Sequence, residues 1–221
     1  MRTLVVNFKN YPEILGPGSV RLAQAVQRVS DSVGVEAIVA PPPPMLALVA
    51  SSTRVKVYSQ TVGSKSGDKT TGEILPEAVK AAGASGTILN HSESRRPPSE
   101  LRALLPRLAG MGMGVCLCSQ TAGEAARLAA LKPKYLAIEP PELIGSGIAV
   151  SKARPELVQR TVASVRRVGF EGEILCGAGI VSGEDVTRAV ELGVDGVLVA
   201  SSVVKAPKWE SKVRELARSL C

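Results

Sequence analysis

The stretch that decides the fold is EILCGAGIVSGEDVTRAVELGVDGVLV, residues 173–199. It opens on a short run ending in three apolar residues, Glu173–Cys176, and passes through the small-residue turn Gly177-Ala178-Gly179. Ser182, three residues ahead of Asp185, then offers a side-chain oxygen to the free N–H groups of a helix start. Apolar residues recur at helical spacing over Glu184–Leu192, and Gly193 stands where a left-handed residue would end the helix. A second apolar run, Gly196–Val199, follows at once. The reading is strand, helix, strand, with both strands too uniformly apolar to leave a face in water. That is the pattern of a buried parallel sheet.

Outward from this unit the same alternation runs to both ends of the chain. Strands are expected at Leu4–Phe8, Glu36–Ala40, Val55–Ser59, Gly86–Leu89, Val115–Cys118 and Tyr135–Ile138, besides the two above. Helical periods are expected at Val20–Val29, Pro44–Ala50, Leu75–Ala82, Glu100–Leu108, Ala122–Leu131, Pro155–Val168 and, last, Trp209–Leu220. Thr121 ahead of Glu124 repeats the helix-start signal, Ser99 ahead of Arg102 is a poorer version of it, and Gly83 and Gly169 sit at helix ends. Eight strand–helix units in 221 residues is about 28 residues each. Eight such units predict a closed (β/α)8 barrel, an α/β fold in one domain over residues 1–221; a doubly wound open sheet is the competing arrangement. No composition shift or linker divides the chain, and Pro41–Pro44 reads as a stiff strand-end loop.

Composition excludes several classes. Hydrophobic residues make up 45% and charged residues 21%, too much apolar content for a disordered chain. Aromatics are only 3%, so the core is built from Val, Leu, Ile and Ala. No run approaches the roughly 20 apolar residues that cross a bilayer, and Asn7 breaks the opening apolar run too early for a secretory segment. Cys116, Cys118, Cys176 and Cys221 form no disulfide framework in a chain of this length. The expectation is a soluble cytoplasmic protein without a membrane partner. The formal charge of +7 is spread along the chain, dense only at Arg95-Arg96 and Arg166-Arg167, with few rings to stack on bases. It fits attraction of a small anion better than nucleic-acid binding.

In such a barrel the chemistry sits at the C-terminal ends of the strands. The first strand ends in Asn7-Phe8-Lys9, where a period of two places Asn7 and Lys9 on one face with Val5, and Leu4, Val6 and Phe8 on the other. A lysine in the mouth of a barrel calls for an anion, unless it simply snorkels out to water. The fourth strand ends in Asn90-His91-Ser92-Glu93, with the only histidine of the chain, readable as a catalyst or as a satisfied structural residue. One histidine without further ligands makes no metal site, and Cys116-x-Cys118 reads as core. The sixth strand ends in Glu139, followed by Pro140-Pro141-Glu142 and, after two residues, Gly145-Ser146-Gly147: a general base beneath a hinged loop, or a salt-bridged glutamate. Behind the seventh and eighth strands lie Gly177-Ala178-Gly179 and Ala200-Ser201-Ser202, small residues that let backbone N–H groups reach a phosphate. Neither a dinucleotide fingerprint nor a Walker-type motif is present, so no cofactor is expected. A base and an electrophile without cofactor or metal suit proton abstraction beside a carbonyl, hence isomerisation. Another phosphate-binding barrel isomerase or lyase would place other polar residues on strands one, four and six, and a non-catalytic binding protein would lack the base.

Asn7-Phe8-Lys9, His91-Ser92-Glu93, Glu139-Pro140 and Gly145-x-Gly147 occur in the order found in the triosephosphate isomerase family, which the chain resembles over essentially its whole length. The resemblance implies a TIM barrel with shortened helices. It implies interconversion of D-glyceraldehyde 3-phosphate and dihydroxyacetone phosphate through an enediolate, in glycolysis and gluconeogenesis. Its glutamate-base, neutral-histidine chemistry is the family's established pattern and comes with the resemblance. By position it makes Glu139 the base, His91 the neutral electrophile and Lys9 the cation facing the enediolate. Asn7 would orient the oxygens and Glu93 would be a supporting carboxylate near Lys9. Gly145, Gly177, Ala178, Ala200 and Ser201 would give N–H groups to the phosphate. The chain departs from the widespread form of the family: Asn90 stands before the histidine in place of Gly, and Ser94 separates Glu93 from Arg95. Pro140-Pro141-Glu142 replaces Pro-Val-Trp, and Cys176-Gly177-Ala178-Gly179 replaces Tyr-Gly-Gly-Ser. These departures resemble the archaeal branch, which implies a homotetramer, a dimer of dimers. Gln60–Gly72 aligns with the family's interdigitating dimer loop, and its Gly, Ser, Thr and Lys content would equally suit a free surface loop.

Overall fold

The computed structural model describes residues 1–67, 69–140 and 153–221. Eight strands form a closed parallel barrel in sequence order: β1 (Thr3–Asn7), β2 (Glu36–Ala40), β3 (Lys56–Ser59), β4 (Gly86–Leu89), β5 (Gly114–Ser119), β6 (Tyr135–Ile138), β7 (Glu173–Cys176) and β8 (Gly196–Val199). The ring closes where β1 pairs with β8, Thr3 opposite Gly196 and Val6 opposite Val199. All eight expected strands are present, with ends displaced by a residue at β1, β3 and β5. The open sheet is thereby excluded.

The helices among the described residues are α1 (Pro17–Val33), α2 (Leu46–Ser52), α3 (Pro76–Ala81), α4 (Pro98–Gly110), α5 (Ala122–Ala129), α6 (Pro155–Arg167), α7 (Gly183–Glu191), α8 (Ser201–Val204) and α9 (Trp209–Arg218). Proline at the first position opens α1, α3, α4 and α6, where its fixed φ suits the turn and its missing N–H costs nothing. This corrects the Ser99 reading: α4 begins at Pro98, two residues before the start that a Ser99 cap implies, and Ser99 lies inside it. It also accounts for α1 starting three residues ahead of its apolar period. Thr121 does cap α5, accepting the Glu124 N–H, and Ser182 and Asp185 form a reciprocal capping box on α7. Gly83, Gly169 and Gly193 all have positive φ, at 94°, 76° and 96°.

Alternation along the strands sorts the buried side chains into two layers. An inner cluster holds Val5, Ile38, Ala40, Tyr58, Ile88, Cys116, Cys118, Tyr135, Ala137, Leu175 and Leu198, one to two per strand. Leu4, Val6 and Phe8 belong instead to the outer layer between sheet and helices, as the period of two requires. Each fully buried Val, Leu or Ile there contributes roughly 1.5–3 kcal/mol.

The N-terminal end of the barrel is filled by two tyrosines. The rings of Tyr58 and Tyr135 meet edge to face with centroids 6.2 Å apart. Tyr58 fits because β4 and β5 both begin with glycine: a Cβ on Gly86 would stand 2.5 Å from Tyr58 Cζ, and one on Gly114 would stand 3.1 Å from the same atom. Burial pushes both phenols above their usual range. The Tyr135 hydroxyl donates to Glu36 Oε1 at 2.6 Å, and Lys56 Nζ reaches that oxygen at 2.7 Å. The opposite end is left for chemistry.

Candidate active site

At the C-terminal end a cavity of about 130 Å³ is lined by Lys9, His91, Glu139, Gly177, Ala178, Ala200 and Ser201, together with Tyr11, Ile180 and Ser202. Asn7 and Glu93 line the adjoining hollow, which shares Lys9, Tyr11 and His91. The fold therefore brings together residues from loops one, four, six, seven and eight that are up to about 190 positions apart in the chain. Gly145 lies outside the described residues, as do Pro141 and Glu142.

Lys9 stands two residues past β1 in a left-handed conformation, φ 48°, uncommon for a residue with a Cβ. Two contacts hold it so. Asn7 Oδ1 accepts the Lys9 N–H at 3.0 Å, and the Gln60 amide donates to the Lys9 carbonyl at 3.0 Å and to the Ala40 carbonyl at 3.1 Å. Asn7 thus shapes the lysine turn, a task the sequence reading did not give it. The Lys9 ammonium meets Glu93 Oε1 at 2.7 Å. Glu93 is 61% exposed and Lys9 only 16%, so the carboxylate tethers the ammonium from the solvent side and leaves the cation over the cavity.

His91 is 7% exposed. Its Nδ1 accepts the backbone N–H of Glu93 at 3.2 Å, and its carbonyl accepts the Ser94 N–H at 2.8 Å. A nitrogen that accepts an N–H carries no proton, so the imidazole is neutral and its one proton sits on Nε2. That nitrogen points across the cavity to Glu139 Oε1, 3.6 Å away. Glu93 therefore contributes its backbone as well as its carboxylate.

Glu139 follows β6 and is 1% exposed. Burial pushes its carboxyl above the ordinary range, opposed in part by the neighbouring His91, the Cys118 thiol, the Lys9 charge and the Ser92 backbone. Glu139 Oε2 has no hydrogen-bond partner; only Ser202 Oγ shares that condition among buried side-chain atoms of the described residues, and both residues line the cavity. A buried unpaired oxygen costs about 1–3 kcal/mol, a cost tolerated where function uses the group.

Gly177 makes room for this carboxylate. A Cβ there would stand 2.7 Å from Glu139 Cγ and 3.2 Å from Oε1. Gly177→Ala is therefore expected to push Glu139 off its position and lower kcat about 100-fold, the order of effect of a displacement near 1 Å, while the protein stays folded. Steady-state kinetics beside circular dichroism checks this. Activity above half of wild type would show that the glutamate is not placed by the glycine.

Beyond Gly177, Ala178 and Ala200 present little side chain toward the cavity, and Ser201 begins α8, a single turn too short for periodicity to reveal. Also unforeseen are Gln60, which braces Lys9 from the third loop, and Tyr11, which walls the cavity and stacks under Lys205 Nζ at 4.8 Å. An unusual aromatic two residues past the lysine was the available signal for Tyr11. Gln60 carried none. Among the described residues no group of three or more His, Cys, Asp or Glu is placed to hold a metal ion, and no helix is long and apolar enough to cross a membrane.

Residues 2–216 match the family model described as triosephosphate isomerase. Among similar proteins, triosephosphate isomerase of Caldivirga maquilingensis is 44% identical over 217 residues, 98% of this chain and 96% of that one. The enzyme of the same name from Methanocaldococcus jannaschii is 40% identical over 215 residues, 97% and 98% of the two chains. That of Cenarchaeum symbiosum is 42% identical over 218 residues, 98% and 97%. With the barrel closed and its polar residues gathered at one mouth, these likenesses leave one assignment: the chain belongs to the triosephosphate isomerase family.

Proposed function

We propose that the chain interconverts D-glyceraldehyde 3-phosphate and dihydroxyacetone phosphate, with Glu139 as the base that carries a proton between adjacent carbons. The observation that carries this reading is the pairing across the cavity of a buried carboxyl, its pKa raised above the ordinary range by burial, with the protonated Nε2 of a neutral imidazole 3.6 Å away. Glu139 removes the proton beside the carbonyl, and His91 Nε2–H polarises the carbonyl oxygen. Lys9 offsets the negative charge of the enediolate, with Asn7 and Glu93 holding it in place. Gly177, Ala178, Ala200 and Ser201, with Gly145, supply backbone N–H groups to the phosphate. The reaction uses no cofactor and one catalytic domain over residues 1–221. In the cell it serves glycolysis and gluconeogenesis in the cytoplasm, as a homotetramer built as a dimer of dimers with residues 60–72 at the first interface.

Proton abstraction by a side chain that can exchange with water has a consequence that an internal hydride shift lacks. Conversion of dihydroxyacetone phosphate in D2O, followed by proton NMR, is expected to place deuterium on the carbon next to the carbonyl in part of the product. Conversion with no deuterium incorporated would exclude the carboxylate-shuttle route, and no conversion by the folded wild type would overturn the whole reading.

A further inference from the structure

We propose that Asn90 is the positioning residue for the His91 imidazole, acting through a brace between the end of β4 and the end of β5. The inference rests on the reading of His91 given above. Asn90 is 2% exposed and has φ 60°, a backbone conformation that glycine adopts freely and asparagine tolerates better than most. Glycine would satisfy the turn, so the side chain must earn its place otherwise. Both polar atoms of the Asn90 side chain and its backbone carbonyl have partners. Nδ2 donates to the Cys118 carbonyl at 2.9 Å and approaches Glu124 Oε1 at 3.4 Å. Oδ1 accepts the Arg96 N–H at 3.0 Å, and the backbone carbonyl accepts from Arg95 Nη1 at 3.1 Å.

These contacts join three elements. Cys118 is on β5, Arg95 and Arg96 lie on the far side of the His91 turn, and Glu124 belongs to α5. Glu124 is itself fixed, since Oε2 accepts the Gln120 N–H at 2.8 Å and Oε1 pairs with Arg95. The turn carrying His91 is thus pinned at its first residue to a neighbouring strand and, through Arg96, at its last. Within it the Glu93 N–H reaches Nδ1 and the Ser94 N–H reaches the His91 carbonyl, so displacement of the turn moves the imidazole and weakens the bond that keeps Nδ1 unprotonated. Asn90 is absent from the linings of the cavity and the adjoining hollow, so its effect passes through His91. A hydrogen-bonded support of this kind matters for rate, because chemistry needs the electrophile within a fraction of an ångström of its place.

Two variants separate this role from a merely structural one. Asn90→Gly keeps the backbone conformation and removes the brace. Asn90→Asp keeps size and the Arg96 contact but cannot donate to Cys118. Each is expected to lose kcat about tenfold with KM within twofold, and to bind inorganic phosphate as wild type does. The chain has a single histidine, so imidazole 15N signals belong to His91 alone. In wild type they are expected to report the Nε2–H tautomer, and in both variants a mixture. Wild-type kcat in either folded variant, or KM rising in step with the loss of kcat, overturns the proposal. His91→Asn, assayed alongside, keeps the two readings apart: activity retained there would remove the role of His91 itself. An inactive His91→Asn beside fully active Asn90 variants would remove only the brace.

Discussion

Glu139→Gln is expected to lower kcat by roughly 10²–10⁴-fold, the usual contribution of a positioned general base, with little change in KM. The substitution is nearly isosteric, so the Gly177 notch that accommodates the glutamate accepts the amide equally well. It removes the one property the reaction requires, a lone pair basic enough to take a proton from carbon. The same variant carries a second signature. A carboxyl whose folded pKa is raised binds its proton more tightly in the folded chain than in the unfolded one. Its cost to stability is therefore absent below the ordinary carboxylate range, grows as pH rises through the window between the unfolded and folded values, and is constant above it. Glu139→Gln should match wild-type stability at pH 4 and exceed it at pH 8, when both are unfolded in urea. Activity within tenfold of wild type would remove Glu139 from the chemistry. A stability difference independent of pH would show that the carboxyl is not strained by its burial.

Lys9→Met comes next in size. Among the described residues that line the cavity, Lys9 is the only one with a positive charge. Methionine keeps much of the stem and removes that charge, which in the proposed reaction faces both a phosphorylated substrate and an enediolate. Loss of one preorganised electrostatic partner of a developing oxyanion typically costs roughly 10²–10³-fold in kcat; here KM should also rise, because the ground state is already anionic. Stability should scarcely change, since the Glu93 carboxylate left behind is 61% exposed and stays solvated. Lys9→Arg should not restore wild-type activity: the planar guanidinium is bulkier and spreads its charge over a fork. Full activity in Lys9→Met would mean that the lysine only shields the mouth from solvent.

How far the sequence could be read depended on whether a feature was local. Strands of four to six residues buried on both faces write themselves as apolar runs, and all eight could be placed from those runs. Glycines after helices and Thr121 and Ser182 before them are equally local. Helix starts proved less legible: proline begins four of them and says nothing through periodicity, and of these only the start at Pro155 was placed. In the site, Lys9, His91 and Glu139 could be found by type and strand-end position alone. What holds them could not. The Gln60 brace spans 51 positions and the Asn90 contacts with Cys118 and Glu124 span 28 and 34, so the first exists only once β1, β2 and β3 are side by side and the others only once β5 lies beside β4. Asn90 could be noticed as a departure from the family's glycine, but its purpose needed the barrel.

The tyrosine that fills the lower end of the barrel bears on how this chain can change over generations. Tyr58 occupies volume that Gly86 and Gly114 leave empty, so three positions on three strands share one space. A side chain at Gly114 is excluded while the tyrosine is present, one at Gly86 is barred by the Gly114 carbonyl oxygen as well, and losing the tyrosine first opens a hole in the inner layer. Each single step is unfavourable, although a simultaneous exchange, a small residue for Tyr58 and a large one for Gly114, could refill the same volume. Lineages that inherit this arrangement should therefore keep Gly86 and hold or exchange Tyr58 and Gly114 as a pair, and chains with Tyr58 beside a bulky residue at either glycine position should be rare.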